Sequence, residues 1–294
     1  MRALVIGNLA LDERLYVDAL PRPGETLLAA RAESDLGGKG ANQAVVLARA
    51  GVATRLLSCI GADAAGAGLR TLLAAEPLQT TLLPSETPTD RSIVLVAADG
   101  ENAIVSTAAC ARGLCAADVD AALDDADLAL LQGNLSPALT GHALTAARVR
   151  ERRTVFNPAP ADPEFVALCA HADLLVCNRI EAEALTGAAA PEAAARRLHA
   201  AGAARVAITL GAAGVLFRDA AGHLAVSATP ATVRDTTGAG DTFVAALTAA
   251  LFAYDMPPRA ALEAAGRAAA ITVARPGTLA AFPTAAELAA IFAR

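Results

Sequence analysis

The chain has 294 residues, of which 55% are hydrophobic, and it carries a formal net charge of −6. A chain of this length can bury a substantial core, and it fits one large α/β domain or one domain with a small appendage. The negative charge disfavours a general nucleic-acid binder, because binding to a phosphate backbone needs a concentrated basic surface. No uninterrupted apolar run approaches the roughly 20 residues that a membrane-spanning helix needs. We therefore expect a globular protein with neither a nucleic-acid nor a membrane partner.

The N-terminal residues and the cysteines indicate a cytoplasmic protein. Residues 1–7 have too short an apolar run for a secretory signal, and the acidic Asp12 and Glu13 follow almost at once. We interpret this segment as a first buried strand. The cysteines are odd in number and lack a C-x-x-C pair, which favours buried reduced thiols over disulfides. They are Cys59, Cys110, Cys115, Cys169 and Cys177.

Short apolar runs alternate with alanine-rich helical segments along the chain. This alternation is typical of a parallel sheet with helices on both faces. The apolar runs predict buried strands at 4–6, 56–60, 128–131, 155–156, 174–176 and 206–210. Two regions break the rhythm, 15–31 with a Pro-Arg-Pro-Gly turn and 91–107 with Asp99-Gly100 between alternating apolar runs. These regions predict strands and a hairpin in a partly exposed sheet, which the residues alone would make an antiparallel appendage.

A glycine-rich turn, Asp235-Thr-Thr-Gly-Ala-Gly-Asp-Thr-Phe243, leads directly into an apolar helical pattern. The small residues Gly238, Ala239 and Gly240 allow several backbone N–H groups to approach an anion, and the helix adds the positive end of its dipole. Asp241 in the first turn could take the proton of an attacking hydroxyl. An ordinary capped helix after a glycine turn has the same pattern, so the spacing alone leaves both interpretations open.

Further motifs accompany this turn. Gly37-Gly-Lys-Gly-Ala-Asn-Gln43 lies near the N-terminus, and Asn157-Pro-Ala-Pro-Ala161, the segment 178–187 and Ile208-Thr-Leu-Gly211 follow in order. Together with the glycine-rich turn, they resemble the signatures of the PfkB carbohydrate kinases, the ribokinase family. Two signatures about two hundred residues apart make chance unattractive as an explanation. The resemblance covers nearly the whole chain.

The resemblance implies a fold and a domain organisation. The fold is a ribokinase-like three-layer α/β sandwich, with a central mostly parallel sheet flanked by helices and a small β-sheet lid over the sugar site. The nucleotide- and substrate-binding core would comprise 1–11, 32–90 and 108–294, and the lid 12–31 and 91–107. Contacts between such lids often make a homodimer in this family.

The resemblance also implies an activity. A kinase of this family would use ATP and Mg²⁺ to transfer the γ-phosphoryl group to a primary hydroxyl of a small sugar, and we expect D-ribose as acceptor and ribose 5-phosphate as product. Asp241 matches the catalytic base, and Gly238, Ala239 and Gly240 match the anion hole. The positions that match the sugar pocket are Asp12, Gly38, Lys39, Asn42 and Asn134.

Nucleotide and cation positions are matched in the same way. The positions that match the nucleotide site are Asn178, Thr209, Gly211, Gly214 and Gly240. Asn178 and Glu181 match an N-x-x-E element that places Mg²⁺ through water, as suits a cation that keeps several waters. A K⁺ site beside the anion hole is matched by Asp235, Thr237, Thr272, Arg275 and Gly277, although Ala281 lacks the hydroxyl that often completes it.

Two departures from the ribokinase pattern leave the acceptor open. Asn134 stands where ribokinases usually present a glutamate that bonds the sugar, and Ala10 replaces an asparagine. Both changes remove polar capacity, so another furanose, a hexose or a nucleoside is an alternative acceptor. A noncatalytic sugar or nucleotide sensor is an alternative of another class, which Asp241 disfavours because a sensor needs no base. A nicotinamide-dependent oxidoreductase is disfavoured because the first strand ends without G-x-G-x-x-G.

Overall fold

The computed structural model describes residues 1–98 and 102–293. The β-strands of this part of the chain are β1 Arg2–Ile6, β2 Ala10–Val17, β3 Arg31–Gly37, β4 Ala53–Gly61, β5 Gln79–Ser85, β6 Asp90–Ala97, β7 Asn102–Ser106, β8 Leu128–Gln132, β9 Arg153–Asn157, β10 Leu174–Asn178, β11 Val206–Thr209, β12 Val215–Asp219 and β13 Gly222–Val226. Its α-helices are α1 Lys39–Arg49, α2 Ala64–Ala74, α3 Ala116–Leu123, α4 Pro137–Val149, α5 Arg179–Thr186, α6 Pro191–Ala200, α7 Ala239–Thr248, α8 Pro258–Val273 and α9 Ala285–Phe292. Together these elements form two sheets and the helices that cover them.

The larger sheet has nine strands in the order β13-β12-β11-β10-β9-β8-β1-β4-β5. The strands from β11 to β5 in this order are parallel, and β12 and β13 join them antiparallel. Side chains alternate between two buried clusters, since Val5 of β1 belongs to the cluster that includes α1, α7 and α8, and Ile6 belongs to the cluster that includes α3 and α4. The predicted α/β class with a central mostly parallel sheet is confirmed, and all six predicted strands lie in this sheet.

Three strands of the larger sheet were not predicted from the sequence. β5 is an edge strand with mostly half-buried or exposed side chains, and β13 is the edge strand at the other end. Edge strands need no continuous apolar run because solvent covers part of them, so their hydrophobic pattern is weak. β12 pairs antiparallel with β13 in a hairpin, and the sequence analysis predicts neither strand.

The smaller sheet has four strands in the order β3-β2-β6-β7. It confirms a small separate sheet, but it differs from the prediction in two respects. β3 belongs to it, although residues 32–37 were assigned to the core, because the exposed charged side chains of this strand give no apolar pattern. β2 pairs in parallel with β6, so the sheet is not purely antiparallel. The predicted turn Asp99-Gly100 lies outside the described residues.

The cysteines are unpaired, as expected, and all but one are buried. The exception is Cys115, which is exposed at the start of α3. Burial raises the pKa of the Cys169 thiol to about 11, so this thiol stays protonated at neutral pH. No described helix is long and apolar enough to cross a membrane.

Four neighbouring strands of the larger sheet each have a polar residue at their carboxyl end, so these residues lie along the same edge of the sheet. β8 ends at Gln132, β9 at Asn157, β10 at Asn178 and β11 at Thr209. The carboxyl ends of parallel strands are where ligands bind in open α/β sheets. The starts of α1 and α7 meet at this edge, because side chains from α1 contact Asp241 in the first turn of α7. This edge therefore carries the candidate site.

Candidate active site

Asp241 is the third residue of α7, and only 6% of it is exposed to solvent. Its Oδ2 accepts a hydrogen bond of 2.9 Å from Asn42 Nδ2, and its Oδ1 accepts one of 2.9 Å from Gln43 Nε2. Both donors lie on α1, so two side-chain amides fix the direction of the carboxylate. The position at the start of a helix favours a negative charge. The structure thus brings Asp241 and Asn42 together, as expected from the two signatures.

The turn before Asp241 requires a glycine. Gly238 has φ of 74°, and an added Cβ would lie 2.6 Å from Cε1 of Phe282. No side chain caps α7 at this residue. The Ala239 N–H donates to the carbonyl of Thr236 at 3.3 Å, so the first turn keeps part of its capacity to bind an anion through backbone N–H groups. An added Cβ at Gly240 would meet nothing within 4 Å, which shows open space in front of the turn. Gly238, Ala239 and Gly240 together form this helix start.

Gln43 was missed as a site residue, although it lies within the quoted N-terminal motif. It is completely buried, and its Nε2 also donates to Asn157 Oδ1 at 3.0 Å. Its Oε1 accepts from Gln132 Nε2 at 2.8 Å, and Asn157 Nδ2 donates to the carbonyl of Val176 at 2.8 Å. We call Gln43, Gln132 and Asn157 the amide network. The sequence indicates part of this network, since Gln132 and Asn157 directly follow the predicted strands 128–131 and 155–156.

Asp12 lies on β2, and burial raises its pKa to about 7. A hydrogen bond with Ser92 and the charge of Arg14 lower this pKa, whereas the charges of Asp241 and Asp35 raise it further. The carboxylate thus titrates close to neutral pH, in contrast to the ordinary range of aspartate. It is near enough to Asp241 for the two charges to interact.

Glycines make room for Asp12 and for the start of α1. A Cβ on Gly37, in the neighbouring strand, would lie 1.8 Å from Asp12 Oδ1. Gly38 has φ of 89°, and its Cβ would lie 2.8 Å from the carbonyl oxygen of Asn8. Lys39 follows as the first residue of α1 and is half-buried. Three of the expected sugar-pocket residues therefore lie on the small sheet or directly after it. Asp12 is on β2, and Gly38 and Lys39 follow β3 at the start of α1.

Besides Oε1 of Gln132, two buried amide oxygens near the site have no hydrogen-bond partner among the described residues. They are Oδ1 of Asn42 and Oδ1 of Asn134, and both side chains are more than nine-tenths buried. A buried acceptor without a partner costs free energy, so both oxygens are suited to accept hydrogen bonds from a ligand that carries hydroxyl groups. Ala10 is completely buried and offers no such group.

Asn178 and Glu181 form a capping box at the start of α5. Asn178 Oδ1 accepts from the Glu181 N–H at 2.9 Å, and Glu181 Oε2 accepts from the Asn178 N–H at 2.8 Å. Burial raises the pKa of Glu181, the Asn178 N–H and Lys39 lower it, and Asp241 raises it. The mutual influence places Glu181 electrostatically close to Lys39 and Asp241. These side chains support their helix, and the carboxylate keeps further lone pairs for water or a cation.

The turn after β11 lies beside this capping box, because Thr209 pairs with Asn178 in the sheet. Gly211 has φ of 60°, and an added Cβ there would meet nothing within 4 Å. Gly214 has φ of 100°, and its Cβ would lie 2.1 Å from the carbonyl oxygen of Val226. The turn is closed by a hydrogen bond of 2.7 Å from the Leu210 N–H to the Gly214 carbonyl. It presents open backbone where the expected nucleotide residues lie.

The residues expected at a K⁺ site are brought together in part. Asp235 accepts hydrogen bonds from the Thr237 N–H at 2.9 Å and from the Gly277 N–H at 3.2 Å. The Thr272 hydroxyl is within 2.9 Å of the Thr242 hydroxyl, and its carbonyl accepts from the Arg275 N–H at 3.1 Å. The Arg275 guanidinium forms an ion pair with Glu287. That ion pair also lowers the pKa of Glu287 to about 2.

Comparison with known proteins identifies the class. Residues 2–285 match the pfkB family carbohydrate kinase. The chain is 33% identical over 298 residues to a ribokinase of Haemophilus influenzae, covering 96% of this chain and 95% of that protein. A solved ribokinase of Thermotoga maritima superposes with a TM-score of 0.88 at 30% identity, covering 100% of this chain and 99% of the other. A ribokinase of Cryptococcus neoformans in complex with ADP gives 0.85 at 28% identity, covering 98% of both chains.

The fold, the buried carboxylate behind a glycine turn and these similarities define a phosphotransferase with an alcohol group as acceptor. The chain belongs to the pfkB family of carbohydrate kinases, and its relatives make it ribokinase-like. The family and enzyme class expected from the two signatures are therefore confirmed. The similarity extends over the whole α/β sandwich and is not restricted to the motifs.

Proposed function

We propose that this sugar kinase uses ATP and Mg²⁺ to phosphorylate O5 of D-ribose. The observation that carries the proposal is the fixed position of Asp241, whose two oxygens are each held by an amide of α1 at the start of α7. Sequence relatives named as ribokinases at about 30% identity support ribose as acceptor. The ADP complex of the Cryptococcus neoformans relative supports ATP as donor.

In the proposed mechanism, Asp241 takes the proton of the attacking hydroxyl as the bond to the γ-phosphorus forms. The bond from the γ-phosphorus to the β,γ-bridging oxygen of ATP breaks, and ADP leaves with that oxygen. The backbone N–H groups of Gly238, Ala239 and Gly240 stabilise the charge that develops on the transferred phosphoryl group. The amide network keeps the carboxylate aimed at the acceptor. Because both Asp241 oxygens already accept one hydrogen bond, the remaining lone pairs are directed by α1 before the sugar arrives.

Nucleotide binding is proposed for Asn178, Thr209, Gly211 and Gly214, with Gly240 from the anion hole. The oxygens of Glu181 and Asn178 suit a cation that is held through water, since each keeps a lone pair beyond the capping box. When bound there, Mg²⁺ neutralises charge on the phosphates. Lys39 adds a positive charge close to Glu181, which suits the same anionic substrate.

Sugar recognition is proposed for Asp12, Gly38, Lys39, Asn42 and Asn134. The unpartnered oxygens of Asn42 and Asn134 would accept hydrogen bonds from sugar hydroxyls. Asn134 has a shorter reach and no charge compared with the glutamate usual in ribokinases, and Ala10 contributes no polar atom. These two positions favour, as a second candidate, a kinase of another furanose, a hexose or a nucleoside.

Binding of the acceptor is expected to strengthen with pH between 6 and 8. With a pKa of about 7, the ionised fraction of Asp12 rises from about one tenth to about nine tenths over this range. A carboxylate accepts stronger hydrogen bonds from hydroxyls than a carboxylic acid does, so KM for the sugar should fall several-fold. Steady-state kinetics at constant ionic strength would measure this. In Asp12→Asn, KM should be high at every pH. A KM that still falls between pH 6 and 8 in that variant, as in the unmodified protein, would contradict the assignment.

Activation by K⁺ is proposed through Asp235, Thr237, Thr272, Arg275 and Gly277. Asp235 is bonded to both Thr237 and Gly277, so an ion at these residues would stabilise the turn that leads to the anion hole. We expect kcat to rise several-fold when K⁺ replaces Na⁺ at equal ionic strength. Equal activity in the two buffers would count against the site, as the missing hydroxyl at Ala281 already does.

The small sheet is proposed as a lid over the sugar, with its strands at 12–31, 91–107 and the additional 31–37. Ile104 and Val105 of its edge strand β7 are 55% and 74% exposed, which supports a homodimer through this sheet. Sedimentation equilibrium of the wild-type protein and of Val105→Lys would test the dimer.

A cytoplasmic location is proposed because all five cysteines are unpaired.

The acceptor is tested by measuring ADP release with ATP, Mg²⁺ and a panel of ribose, other pentoses, hexoses and nucleosides. The proposal requires the highest kcat/KM on D-ribose. A higher value on another sugar or a nucleoside would keep the kinase and replace the acceptor. Binding of sugar or nucleotide without any transfer would instead support a sensor.

A further inference from the structure

Arg14 is a buried cation on the small sheet that the proposed mechanism does not use. It lies on the same face of β2 as Asp12, and only 2% of it is exposed. Its Nη2 donates a hydrogen bond to Oγ1 of Thr278, which lies in the loop after α8, and is 3.5 Å from Oδ2 of Asp35 on β3. Arginine is almost never fully buried unless it is paired. We call Arg14, Asp35 and Thr278 the clasp.

The clasp is reinforced by the backbone of the loop. Oδ2 of Asp35 accepts from the N–H of Thr278 at 3.0 Å and from the N–H of Leu279 at 3.1 Å. Its Oδ1 accepts from the N–H of Leu36 at 2.8 Å. Separation of the sheet from the loop would therefore leave a buried guanidinium and a carboxylate without their partners, which is strongly unfavourable. The two elements are expected to move together.

The same loop contacts the anion-hole turn. The Gly277 N–H donates to Oδ2 of Asp235 at 3.2 Å, and Oδ1 of Asp235 accepts from the Thr237 N–H. The Cγ2 atom of Thr278 lies 3.6 Å from where a Cβ of Gly238 would be. Thr278 thus bonds to the small sheet through its hydroxyl, and the adjoining Gly277 bonds to the turn through its backbone N–H.

We propose that Arg14 is a positioning residue that couples the small sheet to the anion-hole turn through Thr278. This inference rests on the proposed function, in which the sheet covers the sugar and the turn binds the transferred phosphoryl group. Nucleotide bound at the turn then stabilises the position of β2 and β3, and a covered sugar keeps the turn ready for transfer. The coupling follows a contiguous series of hydrogen bonds, from Arg14 to Thr278 and from the adjoining Gly277 to Asp235 of the turn.

Two substitutions at Thr278 separate the role of its hydroxyl from that of its methyl group. Thr278→Val keeps the shape and the methyl group but removes the acceptor for Arg14. Thr278→Ser keeps the hydroxyl and removes the methyl group. The rate of amide hydrogen–deuterium exchange would be measured with and without the non-hydrolysable analogue β,γ-methylene-ATP and Mg²⁺. The segments compared are 10–17 and 31–37, which are β2 and β3. The turn at 209–214 reports nucleotide binding independently of the clasp.

In the unmodified protein and in Thr278→Ser, the analogue should slow exchange in β2 and β3 at least about fivefold, the lower range of ordinary allosteric coupling. In Thr278→Val, this protection should be lost in β2, which carries Arg14, while protection at 209–214 remains. β3 keeps the bonds of Asp35 to the loop backbone and should lose less. With D-ribose, kcat of the valine variant should fall more than the apparent KM for ATP rises. Unprotected β2 and β3 in the unmodified protein, or equal protection in both variants, would overturn the proposal. If the analogue does not slow exchange at 209–214 in the unmodified protein, the proposed nucleotide site is wrong.

Discussion

Replacing Asp241 by asparagine is expected to lower kcat by about 10²-fold or more, because the amide cannot take the proton of the attacking hydroxyl. The fold should tolerate the change. Asn42 can rotate its amide, since its Oδ1 has no partner among the described residues, and then accept a hydrogen bond from the new amide. Gln43 can continue to donate to the remaining oxygen. Stopped assays of ADP formation with D-ribose would measure the loss.

The control for Asp241→Asn is nucleotide binding. Because the substitution leaves Thr209, Gly211 and Gly214 untouched, the Kd for ADP should stay close to that of the unmodified protein. A parallel loss of kcat and nucleotide affinity would indicate a damaged fold. Near-normal turnover would refute the role of Asp241 as base.

Replacing Gln43 by methionine is expected to reduce both stability and turnover. The change keeps the size of the side chain but leaves Asp241 Oδ1, Asn157 Oδ1 and Gln132 Nε2 each without one hydrogen bond. Each unpaired buried group costs about 1–3 kcal/mol, and relaxation should limit the total to about 2–4 kcal/mol. A carboxylate that is no longer aimed should lower kcat roughly 10- to 100-fold. Urea denaturation and steady-state kinetics would measure the two effects.

Gln132→Met is the matched control, because Gln132 is equally buried and belongs to the same network but makes no hydrogen bond to Asp241. Its loss of stability should be smaller, because only Gln43 Oε1 loses a hydrogen bond and Oε1 of Gln132 has no partner to lose, and its loss of kcat should be smaller still relative to Gln43→Met. Equal losses of kcat in the two variants would show that the hydrogen bond from Gln43 to Asp241 contributes nothing specific to turnover. The role of Gln43 in aiming Asp241 would then be wrong.

The central strands could be predicted from the sequence because their signal is local. A strand buried on both faces reads as a continuous apolar run, as at 128–131, and needs no knowledge of its partners. β3 could not be predicted in this way. Its outward side chains Arg31 and Glu33 are exposed, and Asp35 is oriented by a loop that lies far along the chain.

The site divides in the same way. The glycines of the turn and Asp241 form one short segment, so their proximity is dictated by the sequence, and the resemblance supplied their roles. The amide network is not local, since Gln43 meets Gln132 and Asn157 across 89 and 114 residues. Arg14 is the clearest case. Nothing in its neighbours predicts burial, which depends on Thr278, 264 residues away.

Transfer to O5 of ribose is tested most directly by identifying the products of ATP and D-ribose by ³¹P nuclear magnetic resonance in the presence of Mg²⁺. We expect ADP and ribose 5-phosphate to appear in equal amounts, with no build-up of inorganic phosphate. Phosphate on another hydroxyl of ribose would contradict transfer to O5. Release of inorganic phosphate with ADP, or no consumption of ATP at all, would contradict the proposed transfer to ribose.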